Sequence, residues 1–180
     1  GAETCLGEGD SYSTGMLVYT YDGATFDDVS VEARSNTSST FGYPNVNTNT
    51  AIYEASTVID VDGNPIIHLG IKSDILSSHD GTGNIITEYY TSAGWVEINS
   101  MTTEGTSPYY PEGEALFDTV GSHQIRYDNN VVNDGWQKTD PVGYGTDLYW
   151  IRHRITSTLN IVPVFEQWKL HSNRMEINSD

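Results

Sequence analysis

The sequence predicts an all-β fold, a sandwich or barrel rather than a βαβ arrangement, and three observations carry that expectation. Apolar and polar residues alternate with period two along most of the chain, whereas helical periodicity is sparse. Thr, Val, Ile and Tyr are plentiful while Ala and Lys are not, a balance suited to pleated, half-buried surfaces. Asp-Gly dipeptides at 22–23, 62–63, 80–81 and 134–135 each fall between strand-like segments, and Asp-Gly suits the positive-φ positions of tight hairpin turns.

Taken in order, TGMLVYTY (14–21) alternates up to Asp22-Gly23, and DVSVEAR (28–34) reads as the strand beyond that turn. SNTSSTFGYPNVNTNT (35–50) is polar and aperiodic, so it is expected as a long exposed loop, the kind of segment that often carries binding function. AIYEASTVIDV (51–61) and PIIHLGIK (65–72) flank the turn at Asp62-Gly63. NIITEYYT (84–91) and GWVEIN (94–99) are apolar arms joined across Thr91, Ser92, Ala93 and Gly94, a hairpin with Gly94 near its turn. A second polar stretch, SMTTEGTSPYYPE (100–112), precedes strands expected at GEALFD (113–118), SHQIRYD (122–128), DLYWIRHRIT (147–156) and VFEQWKLH (164–171). In the ninth of these, Tyr149, Ile151, His153 and Ile155 share the face expected to meet the core, and Trp150, Arg152 and Arg154 share the other. No internal repeat or linker divides the chain, so residues 1–180 are expected to form one domain.

A chain of 180 residues buries roughly 70% of its unfolded surface and needs no covalent staples. Its single cysteine, Cys5, forms no internal disulfide. No run approaches the roughly 18 apolar residues of a membrane span, and the opening GAETCLGEGD lacks a basic, signal-like start. That opening and the end at EINSD predict a processed chain or a piece of a longer one. Charge is uneven: residues 1–120 carry 18 acids and 2 bases, residues 121–180 carry 7 acids and 6 bases, and the net charge is −17. Such a surface argues against nucleic acid, whose phosphates require Lys and Arg, and against anionic membranes.

Motifs for catalysis and metals are absent from the sequence. The histidines at 68, 79, 123, 153 and 171 form no HxH or HExxH pattern, so no metal or cofactor is expected, and His68 and His153 read as core or edge histidines. DVDGNP (60–65) misses the EF-hand spacing, since Gly63 falls at position four and Ile71 at twelve. Calcium therefore has no support beyond a loop site built from carboxylates such as Asp27, Asp28 or Asp60. There is no GxSxG elbow, P-loop or GxGxxG fingerprint, and 25 carboxylates make any single acidic pair uninformative. Glu166 beside Trp168 is the nearest approach to a carboxylate with a shifted pKa, but Trp168 is expected in the core with Val164 and Leu170. Tyr and Trp outnumber Phe, and aromatics with a polar handle favour wet interfaces. Phe41 and Tyr43 in FGYP, and Tyr109 and Tyr110 in SPYYPE, are the candidate glycan contacts.

Residues 122–180 also carry a resemblance. SHQIRYDNNVVNDGWQKTD, followed by DLYWIRHRITSTLNIVPVFEQWKLHSNRMEINSD, resembles a domain of tail-fibre-like and other virion structural proteins of tailed bacteriophages. The matching positions include Gln124, Ile125, Arg126, Gly135, Trp136, Tyr149, Trp150, Arg152, Arg154, Phe165, Glu166, Gln167, Lys169, Leu170, Arg174 and Glu176. EYYTSAGWVEINSM agrees more loosely, and residues 1–80 show no likeness. Two departures stand out: His153 replaces an aromatic, and the chain stops at Asp180, which hints at a missing covalent neighbour. The resemblance implies a jelly-roll-like antiparallel β-sandwich acting as a non-enzymatic fibre, spike or capsid-decorating module on the virion surface, with no catalytic residues. Its expected partners are copies of itself, other virion proteins and a host-surface glycan. Arg152, Arg154, Lys169 and Arg174, with Trp150, are the candidate subunit contacts, docking the acidic face of a sister copy. A carbohydrate-binding module of a secreted or cell-surface protein is the alternative.

Overall fold

The computed structural model describes residues 11–37, 39–98, 101–104, 116–127 and 135–171. In chain order the first strands are β1 (Ser11–Tyr12), β2 (Met16–Tyr21) and β3 (Phe26–Asp28), followed by one short helix, α1 (Ser30–Arg34). Next come β4 (Phe41–Gly42), β5 (Ala51–Ser56), β6 (Gly70–Ser77), β7 (Asn84–Thr91), β8 (Gly94–Glu97) and β9 (Met101–Glu104). The chain continues through β10 (Gly121–Tyr127), β11 (Trp150–Ser157) and β12 (Val164–His171). Among the described residues these form two antiparallel six-stranded sheets. The first runs β1-β12-β6-β10-β9, with β4 also on β12, and the second runs β3-β2-β5-β11-β7-β8. The chain passes back and forth between the sheets, giving the expected antiparallel, jelly-roll-like β-sandwich.

The turns follow the Asp-Gly signals. Gly23, Gly63, Gly81 and Gly135 all take positive φ, and so does Gly94 between β7 and β8. Asp22 accepts backbone N–H bonds from Ala24 and Thr25 and closes the β2–β3 hairpin. Gly70 has a different role: a Cβ there would lie 2.0 Å from the Ile125 carbonyl oxygen, so only glycine lets β6 pair closely with β10.

The inner faces meet in one apolar core. The second sheet contributes Val18, Ile52, Ile85, Ile151 and Ile155, and the first contributes Ile71, Ile75, Ile125, Phe165, Trp168 and Leu170. Trp168 is fully buried, as expected, and rests edge-on against Phe165, Phe41 and His153. A second apolar cluster lies on the outer face of the second sheet.

Four local expectations are corrected. DVSVEAR is not a strand; it turns into α1 because Asp28 Oδ1 accepts the Ser30 N–H, and Ser30 Oγ bonds the backbone of Val18. Val31 is left exposed by that turn while Ala33 is buried. The strand expected at 65–72 begins only at Gly70 and runs to Ser77; of the strand expected at 113–118, residues 113–115 lie outside the described residues, and Leu116 and Phe117 form a turn. The loop at 35–50 is not exposed throughout. Phe41 and Tyr43 are buried at 6% and 4% exposure, which removes them as glycan contacts. Phe41 packs against Phe165 and meets Trp168 edge-on, and the Tyr43 hydroxyl donates to the His153 carbonyl.

Candidate functional site

Two polar constellations stand out, one sealed inside the sandwich and one on the outer face of the second sheet. The inner one centres on Glu54, which β5 points into the core. His68 Nε2 lies 2.8 Å from Glu54 Oε2, and the Tyr127 hydroxyl donates to the same oxygen at 2.7 Å. His153 Nε2 donates to Oε1, and its Nδ1 lies 2.8 Å from Thr87 Oγ1. His68 Nδ1 has no hydrogen-bond partner among the described residues, so the proton sits on Nε2, facing the carboxylate. Burial alone would raise the Glu54 pKa, but His153 and His68 outweigh it and hold the carboxyl at about 2. Thr87, His153 and Glu54 stand in the hydroxyl–imidazole–carboxylate order of a nucleophilic relay. Their exposures are 1%, 0% and 0%, and through Tyr127 on the first sheet the constellation ties the two sheets together.

The outer constellation follows from strand register. Tyr19, Tyr53, Arg152, Glu88 and Glu97 are successive cross-strand partners over β2, β5, β11, β7 and β8. Beside this row Tyr90 pairs with Trp95, and Tyr21 pairs with Phe26 and Ala51. Small Ala51 and Ala55 leave room for the large side chains on neighbouring strands. Glu88 accepts from Arg152 Nε at 2.8 Å and from Arg154 Nε at 2.7 Å, and Arg154 adds a second bond to the other oxygen. Burial would raise the Glu88 pKa, but the two guanidinium groups lower it. The Arg152 guanidinium lies 4.4 Å over the Trp95 ring, and Tyr53 and Tyr90 meet that indole edge-on. Tyr19, Tyr21, Phe26, Tyr90 and Trp95 all stay partly exposed.

Arg152 and Arg154, expected as subunit contacts, meet a carboxylate on a neighbouring strand of their own chain. Trp150 shares their face but is fully buried, because Gln137 N–H bonds the Tyr90 carbonyl and the Thr139–Leu148 bridge folds the preceding segment back, with Leu148 and Val142 packing in the same cluster. Lys169 lies on the first sheet, so the expected basic stripe is split between opposite faces. Arg174, Tyr109 and Tyr110 lie outside the described residues. Asp28 and Asp60 bond nearby backbone amides, and Asp27 is exposed at the sheet edge. Among the described residues no group of three or more His, Cys, Asp and Glu is arranged to hold a metal ion. Sequence reasoning overlooked Trp95, Glu88, Tyr53 and Tyr90, although TEYYTSAGWVE places Glu88, Tyr90, Trp95 and Glu97 on one face once its hairpin register is drawn.

No family model and no curated protein matches the chain. Among solved structures it is similar to a chain from the beta-galactosidase BgaA of Streptococcus pneumoniae. The match has 12% identity and a TM-score of 0.47, covering 92% of this chain and 100% of that one.

Proposed function

We propose that this chain is a non-catalytic adhesion module that binds a glycan on the outer face of its second sheet. The carrying observation is Trp95, a partly exposed indole fixed by Arg152 at 4.4 Å and by Tyr53 and Tyr90, beside the Glu88 and Glu97 carboxylates. A sugar ring has an apolar C–H face that stacks on an aromatic plane and hydroxyls that bond charged groups at its edge. Such a surface is effective when its parts are already held in place, because little side-chain freedom is then lost on binding. The Glu54 relay is sealed, which supports a binding role over a hydrolytic one. The likeness of residues 122–180 to virion structural proteins supports, within the same proposal, display on a phage particle, where such a face serves attachment to a host.

Affinity electrophoresis through gels cast with a panel of polysaccharides tests the binding. The chain is expected to be retarded by at least one of them, and Trp95→Ala to weaken that retardation by about tenfold or more, the equivalent of one lost stacking contact of about 1.4 kcal/mol. Undiminished retardation of Trp95→Ala, or release of new reducing ends, contradicts the reading. Native mass measurement tests the virion arm, which requires stable oligomers and fails if the chain stays monomeric.

A further inference from the structure

The outer face of the first sheet carries a feature of opposite character. Lys72 on β6 and Lys169 on β12 are direct cross-strand partners. Like charges placed opposite one another destabilise a sheet. Such a pair is unexpected in a chain with 25 acids and 8 Lys and Arg, where an acidic partner is easily found. Neither ammonium makes a hydrogen bond or ion pair with another described residue. The arginines of the second sheet, by contrast, share Glu88. Next to the lysines, Asp74 on β6 pairs across to Ser122 on β10. One extra residue in β12 between Phe165 and Trp168 forms a bulge, and bulges re-aim side chains. Gln167, within that bulge, joins Lys72, Lys169, Asp74 and Ser122 around a solvent-open depression of about 200 Å³.

We propose that this depression binds an acidic saccharide unit, one bearing a carboxylate or a sulfate. Lys72 and Lys169 hold the anionic group, since an anion between two lysines on paired strands offsets the repulsion that their register imposes. Asp74, Ser122 and Gln167 supply the acceptors and donors that a ring of hydroxyls needs. A bare anion has no hydroxyls to donate to Asp74, whereas a charged sugar has, so the mixed lining favours a charged sugar over a simple ion. The choice of a saccharide rests on the glycan-binding reading, to which this adds a charge-selective subsite on the opposite face.

The test is a backbone-amide NMR titration of the full chain with four probes: tetragalacturonate, its methyl ester, a sulfated galactose tetramer and sodium sulfate. One of the two acidic sugars is expected to shift the amides of Lys72, Asp74, Ser122 and Lys169 saturably, and which one does so separates carboxylate from sulfate. Lys72→Ala/Lys169→Ala is expected to weaken that binding about tenfold or more, the size expected from losing a charge-assisted hydrogen bond. Equal shifts with the methyl ester overturn the charge requirement. Equal shifts with sodium sulfate reduce the site to an adventitious ion only, and silence with all four probes overturns it outright. Trp95→Ala should keep the response, because Trp95 lies on the other sheet; loss of glycan binding there and silence here are thus separate failures.

Discussion

Glu54→Ala is expected to destabilise the fold by roughly 3–5 kcal/mol, the range for removing one partner of a buried charged set. The carboxylate accepts from His68, Tyr127 and His153, which come from both layers of the sandwich. Removing it leaves a cavity and three buried polar groups without their acceptor, at a site with no access to water. Glu54→Gln keeps the volume and one acceptor oxygen, so its cost should be smaller but still measurable. Urea denaturation at neutral pH, followed by tryptophan fluorescence, gives both values. A loss below about 1 kcal/mol for Glu54→Ala would mean that the set contributes little to joining the sheets.

Acid should produce a loss of similar origin. The Glu54 carboxyl is held at about 2 against an ordinary 4.5, so its folded-state pKa is depressed. Its contribution is therefore fully present above pH 4.5 and disappears as the pH falls from about 4.5 to about 2. At about 1.4 kcal/mol per pH unit, that window corresponds to roughly 3 kcal/mol. Glu88 adds a loss of the same sign, because its pKa is also lowered, by Arg154 and Arg152. Relief of repulsion in a chain of net charge −17 acts in the opposite direction, so the informative quantity is a difference. Between pH 5 and pH 2.5, the wild-type chain should lose stability more steeply than Glu54→Gln. Parallel curves for the two chains would contradict the assignment.

Much of the fold was legible because pleating imposes its period on the sequence. LYWIRHRIT alternates as β11 does, with Ile151, His153 and Ile155 inward and Arg152 and Arg154 outward. The Asp-Gly pairs marked turns because few residues other than glycine take positive φ without cost. The reading failed where one side-chain bond redirected the backbone, as Asp28 does at α1, and where an aromatic in a polar stretch had a distant partner, as Phe41 has in Trp168. Arg152 and Arg154 drew attention, but their partner Glu88 lies far away in sequence and becomes a neighbour only through the pairing of β11 with β7. The opposition of Lys72 and Lys169 likewise exists only in the register of β6 against β12. Glu54 gave no signal, since one acid within AIYEAS reads as an outward residue until the histidines that face it are placed.

The most direct measurement follows the indole Nε1–H resonances of Trp95, Trp136, Trp150 and Trp168 while the chain is titrated with a fragment of the polysaccharide that retards it. Binding on the outer face of the second sheet predicts a saturable shift at Trp95 and none at the core residue Trp168. Saturable binding that leaves Trp95 unmoved, or cleavage of the fragment during the titration, would contradict a glycan-binding face without catalysis.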